Sequence, residues 1–87
     1  MATKTFKIGE YAIGGKIQVV IDRSTIRIAA LDYNTGNTVL EETFGNTDNS
    51  FWPMKEYLWE LTSSYYTDLI IDHIEKTAKI QHQMFKK

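Results

Sequence analysis

Between Thr5 and Phe44 the chain is written in period two. Runs rich in Val, Ile and Thr are broken at short intervals by glycine and asparagine, the pattern of antiparallel strands joined by hairpins. Gly14-Gly15 lies between Ile13 and Lys16, and two glycines take the positive φ of a two-residue primed turn without strain. Arg23-Ser24 is a weaker turn signal, and Asn34-Thr35-Gly36-Asn37 reads as a type I turn closed by a left-handed glycine. These turns predict the pairing. With Ile13 opposite Lys16 and Asp22 opposite Thr25, Ala12 pairs with Ile17, Ile17 with Ala30, Val19 with Ile28 and Ile21 with Ile26. The last strand then sets Leu40 beside Ala30 and Phe44 beside Ile26. Ile8, Ile17, Val19, Ile21, Ile26, Ile28, Leu40 and Phe44 form one continuous apolar face. Glu10 and Glu42 interrupt it from edge strands. They reach water at the rim, or a bulge at Gly9 turns Glu10 outward.

After Phe44 the period changes. Asn46 to Ser50 are capping residues and Pro53 suits a first helical turn, so a helix begins near Phe51 or Trp52. Met54, Leu58 and Leu61 follow at helical spacing, with Trp52, Tyr57 and Trp59 read as core aromatics beside them. A second helical run from Tyr65 to about Lys79 buries Leu69, Ile70, His73 or Ile74, and Thr77, leaving Asp68, Asp72 and Glu75 on the other side. Thr62-Ser63-Ser64 is compatible with a break that caps a new helix and with one continuous bent helix. The predicted fold class is α+β: a four-stranded antiparallel β-meander (5–44), then one long or two short C-terminal helices (51–80) packed on one sheet face. At 87 residues the chain carries a single core, so 1–87 is one domain with a frayed tail at 81–87.

Composition narrows the class. The absence of Cys excludes disulfides, thiolate zinc sites and a cysteine nucleophile, and fits a reducing, cytoplasmic compartment. No run approaches the roughly 18 apolar residues of a membrane span, and Met1 to Lys7 lacks the apolar stretch of a signal peptide, so the expected location is intracellular with no membrane partner. The net charge of −1 gives no global attraction to nucleic acid or anionic lipid. It is unevenly spread. Residues 1–27 hold five bases against two acids, residues 28–75 hold nine acids against Lys55 alone, and the segment from Lys76 onward adds four bases. Such segmentation supports self-association between unlike faces, and it also describes an ordinary solvated surface.

Little in the chain carries chemistry. Its glycines match no phosphate-cradling pattern, and no cofactor motif is present. Asp68, Asp72 and His73 are the best metal-ligand cluster, but Asp72 also stands four residues before Lys76, the spacing of a surface ion pair. Ser24, Ser50, Ser63 and Ser64 occupy turn or capping contexts, and no G-x-S-x-G elbow occurs. Glu10, Glu42 and His73 would make an acid–base set if the fold brought them together, for instance in the cleft of a dimer.

The second sheet face is the unusual feature. It collects Lys7, Tyr11, Ile13, Lys16, Gln18, Val20, Arg27, Ala29, Leu31, Tyr33, Val39, Glu41 and Thr43, which is more apolar than a solvated face requires. Strand propensity alone also enriches Val, Ile and Tyr. One reading is a non-catalytic module that homodimerises by burying Ile13, Val20, Leu31 and Val39, with Arg27 and Lys16 near Glu41 of the second copy. Another is a single-stranded nucleic-acid surface built from Tyr11, Lys16, Gln18, Arg27 and Tyr33, with Tyr11 and Tyr33 stacking bases and Lys7, Lys16 and Arg27 meeting phosphates. Here the order of elements, Lys16 to Asp22, Thr25 to Leu31 and Thr38 to Phe44 ahead of Trp52 to Leu61, resembles a PUR-alpha or Whirly-type domain. That resemblance implies dimers that bind single strands across a sheet. It rests on element order, so it assigns no binding residue, and Glu41 lies on the face in question. Phe6-Lys7-Ile8-Gly9-Glu10-Tyr11 and Glu60-Leu61-Thr62-Ser63-Ser64-Tyr65-Tyr66 are also similar to small proteins of marine phages and bacteria, a likeness that implies no function or small-molecule ligand.

Overall fold

A computed structural model describes residues 1–78. Four strands, β1 (Ala2–Lys7), β2 (Gly15–Ile21), β3 (Thr25–Asp32) and β4 (Thr38–Gly45), are followed by helices α1 (Phe51–Leu61) and α2 (Ser64–Ala78). The sheet is antiparallel in the order β1-β2-β3-β4. The α+β meander expected from the sequence is therefore the fold, and its helical half is two helices. The helical range 51–80 is described as far as Ala78, and the tail 81–87 lies outside the described residues.

From β2 onward the pairing is the expected one. Ile17 faces Ala30, Val19 faces Ile28, Ile21 faces Ile26, and β4 sets Leu40 beside Ala30 and Phe44 beside Ile26. The turn after β3 owes its shape to Asp32. One carboxylate oxygen accepts from the Asn34 N–H (3.0 Å), the Thr35 N–H (2.8 Å) and the Thr35 hydroxyl (3.1 Å), while Gly36 takes φ +78°. A register shift between Ala30 and Leu31 follows, as a bulged hairpin requires.

The first hairpin is not a two-residue turn. Phe6, not Ala12, faces Ile17, and Lys7, not Ile13, faces Lys16. Residues 8–14 leave the sheet through a 3₁₀ turn at Gly9–Tyr11, where Gly9 takes φ +83°. Glu10 is exposed on that turn. The excursion is anchored to the helical half: Ile13 N–H donates to Leu61 O (2.8 Å), Ala12 bridges to Thr62, and the Thr62 hydroxyl donates to Tyr11 O. The glycine pair serves close approach instead of a hairpin tip. A Cβ at Gly14 would lie 2.5 Å from Leu31 O, and one at Gly15 would lie 2.7 Å from the Tyr33 Cβ.

Both helices lie on one side of the sheet. Ile17, Val19, Ile21, Ile26, Ile28 and Ala30 pack against Phe51, Met54, Leu58 and Leu61 of α1 and Ile70, Ile71 and Ile74 of α2. Two expectations about the helices fail. Trp52 and Trp59 are largely at the surface, and α2 turns Thr67, Ile70, Ile71 and Ile74 inward while Leu69 and Thr77 are exposed. A run of three apolar residues, Leu69-Ile70-Ile71, leaves the helix face ambiguous until packing against α1 selects it.

Candidate interaction face

The side of the sheet away from the helices is organised in rows across the strands. One row runs Thr3, Val20, Arg27, Thr43 and the next runs Thr5, Gln18, Ala29, Glu41. A third runs Lys7, Lys16, Leu31, Thr38, with Val39 as the extra residue of the bulge. Ala29 is buried even here, because its flanking strands close over so small a side chain. Gln18, Val20, Arg27 and Leu31 are half-buried. Among the described residues no further element covers these rows.

The charges are spent locally. Arg27 Nη1 donates to Glu41 Oε1 (3.2 Å) within the same chain, so the ion pair expected across a two-fold closes inside one copy. The Lys16 ammonium stands 5.6 Å above the Tyr33 ring. The Asp32 carboxyl is held below its ordinary value, first by the Thr35 N–H, then by the Thr35 hydroxyl, with Lys16 contributing least.

Lys16, Gln18, Val20, Arg27 and Leu31 are thus brought together on the face. Tyr33 and Val39 stand at its margin, where Tyr33 N–H donates to Gly14 O (2.7 Å). Tyr11 and Ile13 are elsewhere. Tyr11, 60% exposed, stacks on Tyr66 of α2 with centroids 6.3 Å apart, and Tyr66 meets Tyr65 edge-on at 5.0 Å. Ile13 is bound by its backbone to the α1–α2 junction. Both belong to the loop that leaves the sheet, so the strand alternation that assigned them to the face does not reach them.

Two features escaped the sequence reading. An open groove of about 250 Å³ between β4 and α1 is lined by Glu42, Phe44, Pro53, Glu56, Tyr57 and Glu60. Burial first, then Glu42 and Glu60, raises the Tyr57 phenol above its ordinary value, and its buried hydroxyl has no hydrogen-bond partner among the described residues. On the outer surface of α1, Lys55 lies over both Trp52 (5.2 Å) and Trp59 (5.6 Å). Residues 52, 55 and 59 share a helix face, which was the available signal.

The acid–base set does not assemble within one chain. His73 of α2 packs its ring edge-on against Phe6 of β1 (5.7 Å), whereas Glu42 sits on β4 at the opposite edge of the sheet and Glu10 on the exposed 3₁₀ turn after β1. Asp72 pairs with Lys76 (3.1 Å), and no group of three His, Asp or Glu among the described residues is placed to hold a metal. None of the described helices is long and apolar enough to cross a membrane. Comparison with protein-family models, with curated proteins and with solved structures finds no match for this chain.

Proposed function

We propose that the chain is a non-catalytic interaction module that pairs with a second copy through the open face of its sheet. The observation that carries this reading is the uncovered second face itself: half-buried Val20 and Leu31 at its centre, Val39 at its margin, and its central charges already neutralised as the Arg27–Glu41 pair. Covering such a face takes its apolar centre out of water, and Arg27 and Glu41 enter the interface already paired with each other. Sedimentation equilibrium over a range of concentrations tests it. At the low end of that range, below the concentrations at which longer species grow, the wild-type chain is expected to dimerise and Val20→Lys to be monomeric with an unchanged circular dichroism spectrum. A variant that dimerises as before places the interface elsewhere.

A second reading has one observation in its favour. Lys7 and Lys16 face each other at one end of the face, with the Tyr33 ring under Lys16, a basic and aromatic corner suited to single-stranded nucleic acid. Titration with a single-stranded oligonucleotide at several salt concentrations separates the two. Binding that weakens steeply with salt, and by about 1–3 kcal/mol in Tyr33→Ala, supports the corner as a strand site. Binding unaffected by Tyr33→Ala removes it.

A further inference from the structure

The two edges of this sheet are complementary to each other. Ile8 N–H donates to Gly15 O (2.9 Å), one step beyond the Lys7–Lys16 pair. Bonding alternates along an antiparallel ladder, so Ala2, Lys4 and Phe6 bond inward to β2 while Thr3, Thr5 and Lys7 aim their N–H and C=O groups outward. Asn46 N–H donates to Ser24 O (3.0 Å) one step beyond Thr25–Gly45, so by the same rule Thr43 and Glu41 aim theirs outward from β4. Each edge is thus half a ladder.

The side chains match in the same register. When Thr43 is opposite Thr3 and Glu41 opposite Thr5 of another copy, the intervening pairs on the helix side are Glu42 with Lys4, Leu40 with Phe6, and Phe44 with Ala2. These are the closely spaced, non-hydrogen-bonded pairs, where side chains interact best. Leu40 is on the core side yet 46% exposed, and Lys4 lies over the Phe6 ring at 5.3 Å on the opposite edge. The match accounts for both. β1 runs opposite to β4, so a copy displaced along the sheet presents β1 antiparallel to β4 with its helices on the same side. Four strands at about 4.8 Å span nearly the width of two helices at about 10 Å, so both layers continue across the joint. The Glu42, Glu56 and Glu60 groove then lies beside the incoming Lys4.

Two-fold edge pairing fares worse. The charges on each edge are of one sign, Glu41 and Glu42 on β4 and Lys4 and Lys7 on β1, so neither edge paired with its own copy forms an opposite-charge pair in any register. We propose that this chain self-associates head to tail, β4 of one copy pairing with β1 of the next through Glu42–Lys4 and Leu40–Phe6. Such a joint is heterologous and does not close on itself, so it builds an open series and not a dimer. It uses the edges of the sheet and is independent of the open face.

Sedimentation velocity on four samples tests it: wild type, Glu42→Lys, Lys4→Glu, and an equimolar mixture of the two variants. Both substituted positions are exposed, and circular dichroism checks that each variant is folded. Wild type is expected to show species beyond dimer that grow with concentration. Each variant alone sets like charges across the joint and should weaken that growth at least about tenfold. The mixture should restore it, since the β4 edge of Glu42→Lys meets the β1 edge of Lys4→Glu with opposite charges and the remaining joints are native. Thr5→Pro, which removes an outward N–H without changing charge, should also block growth. Val20→Lys should leave it intact, which separates failure of the edge joint from failure of the face dimer. Wild type that stops at monomer or dimer up to its solubility limit, single variants that associate as wild type, or a mixture that fails to recover would each overturn the proposal.

Discussion

A methyl group added at Gly14 would meet the Leu31 carbonyl oxygen at 2.5 Å, whereas one added at Gly36 meets nothing within 4 Å, although both residues have similar positive φ. The pair therefore separates backbone strain from collision. Gly36→Ala is expected to cost about 1–2 kcal/mol, the left-handed penalty alone. Gly14→Ala should cost about 1–3 kcal/mol more, because the approach of the 8–14 loop to β3 must open. Urea denaturation of both variants measures the difference, and equal losses would mean that the contact with Leu31 is not tight. His73 offers a second test at this scale. Burial, then the nearby Lys4, lowers its pKa below the ordinary 6.5, against a smaller opposing effect of Asp72. The folded chain therefore binds fewer protons at this ring than the unfolded chain. Stability contributed by the neutral ring is complete above 6.5 and declines as pH falls, levelling off once the folded ring also protonates. The stability advantage of wild type over His73→Gln should shrink between about pH 7 and pH 5. A difference independent of pH would mean that the ring titrates as it does in solvent.

At the scale of elements, what could be read from the sequence depended on how far away each strand's partners lie. β2 pairs with β3 and β3 with β4 through short turns, so the alternation of Ile17, Val19, Ile21 with Ile26, Ile28, Ala30 carries the register directly. The same alternation carries Lys16, Gln18, Val20, Arg27 and Leu31 to the open face. Tyr11, Ala12 and Ile13 continue the pattern in letters only. Their backbone partners are Leu61 and Thr62, about fifty residues on, and no local period reports them. Thr62 is the hinge of that arrangement. Replacing it with Val keeps the side-chain shape but removes the hydroxyl that Tyr11 O accepts from, an expected loss of about 1–2 kcal/mol. The decisive readout is local: the Ile13 amide, bonded to Leu61 O, should exchange faster with solvent in Thr62→Val while the amides of β2 and β3 keep their protection. Uniform acceleration would mean instead that the loop is no separate unit. The misplaced tryptophans have a different cause. Trp52 and Trp59 fall beside the Met54, Leu58, Leu61 stripe and not on it, so they stand at the surface with Lys55 over both rings.

For the whole molecule, strand order equals sequence order, and each strand pairs with the one made before it. That simplicity has a consequence during synthesis. Hairpins close in about 1–10 μs, so the meander can form soon after each strand leaves the ribosome. The residues that cover Ile17, Val19, Ile21, Ile26 and Ile28 end with Ile74, and at about 5–20 residues per second they follow Gly45 by seconds. For that interval a nascent chain carries a finished sheet with one bare apolar side. A chain stopped after residue 50 should be found mostly in the insoluble fraction and bind a hydrophobic dye, while one reaching Ala78 should be soluble and silent. The meander is thus expected to form first, and until its helices follow its core face is open to a chaperone or to another nascent chain.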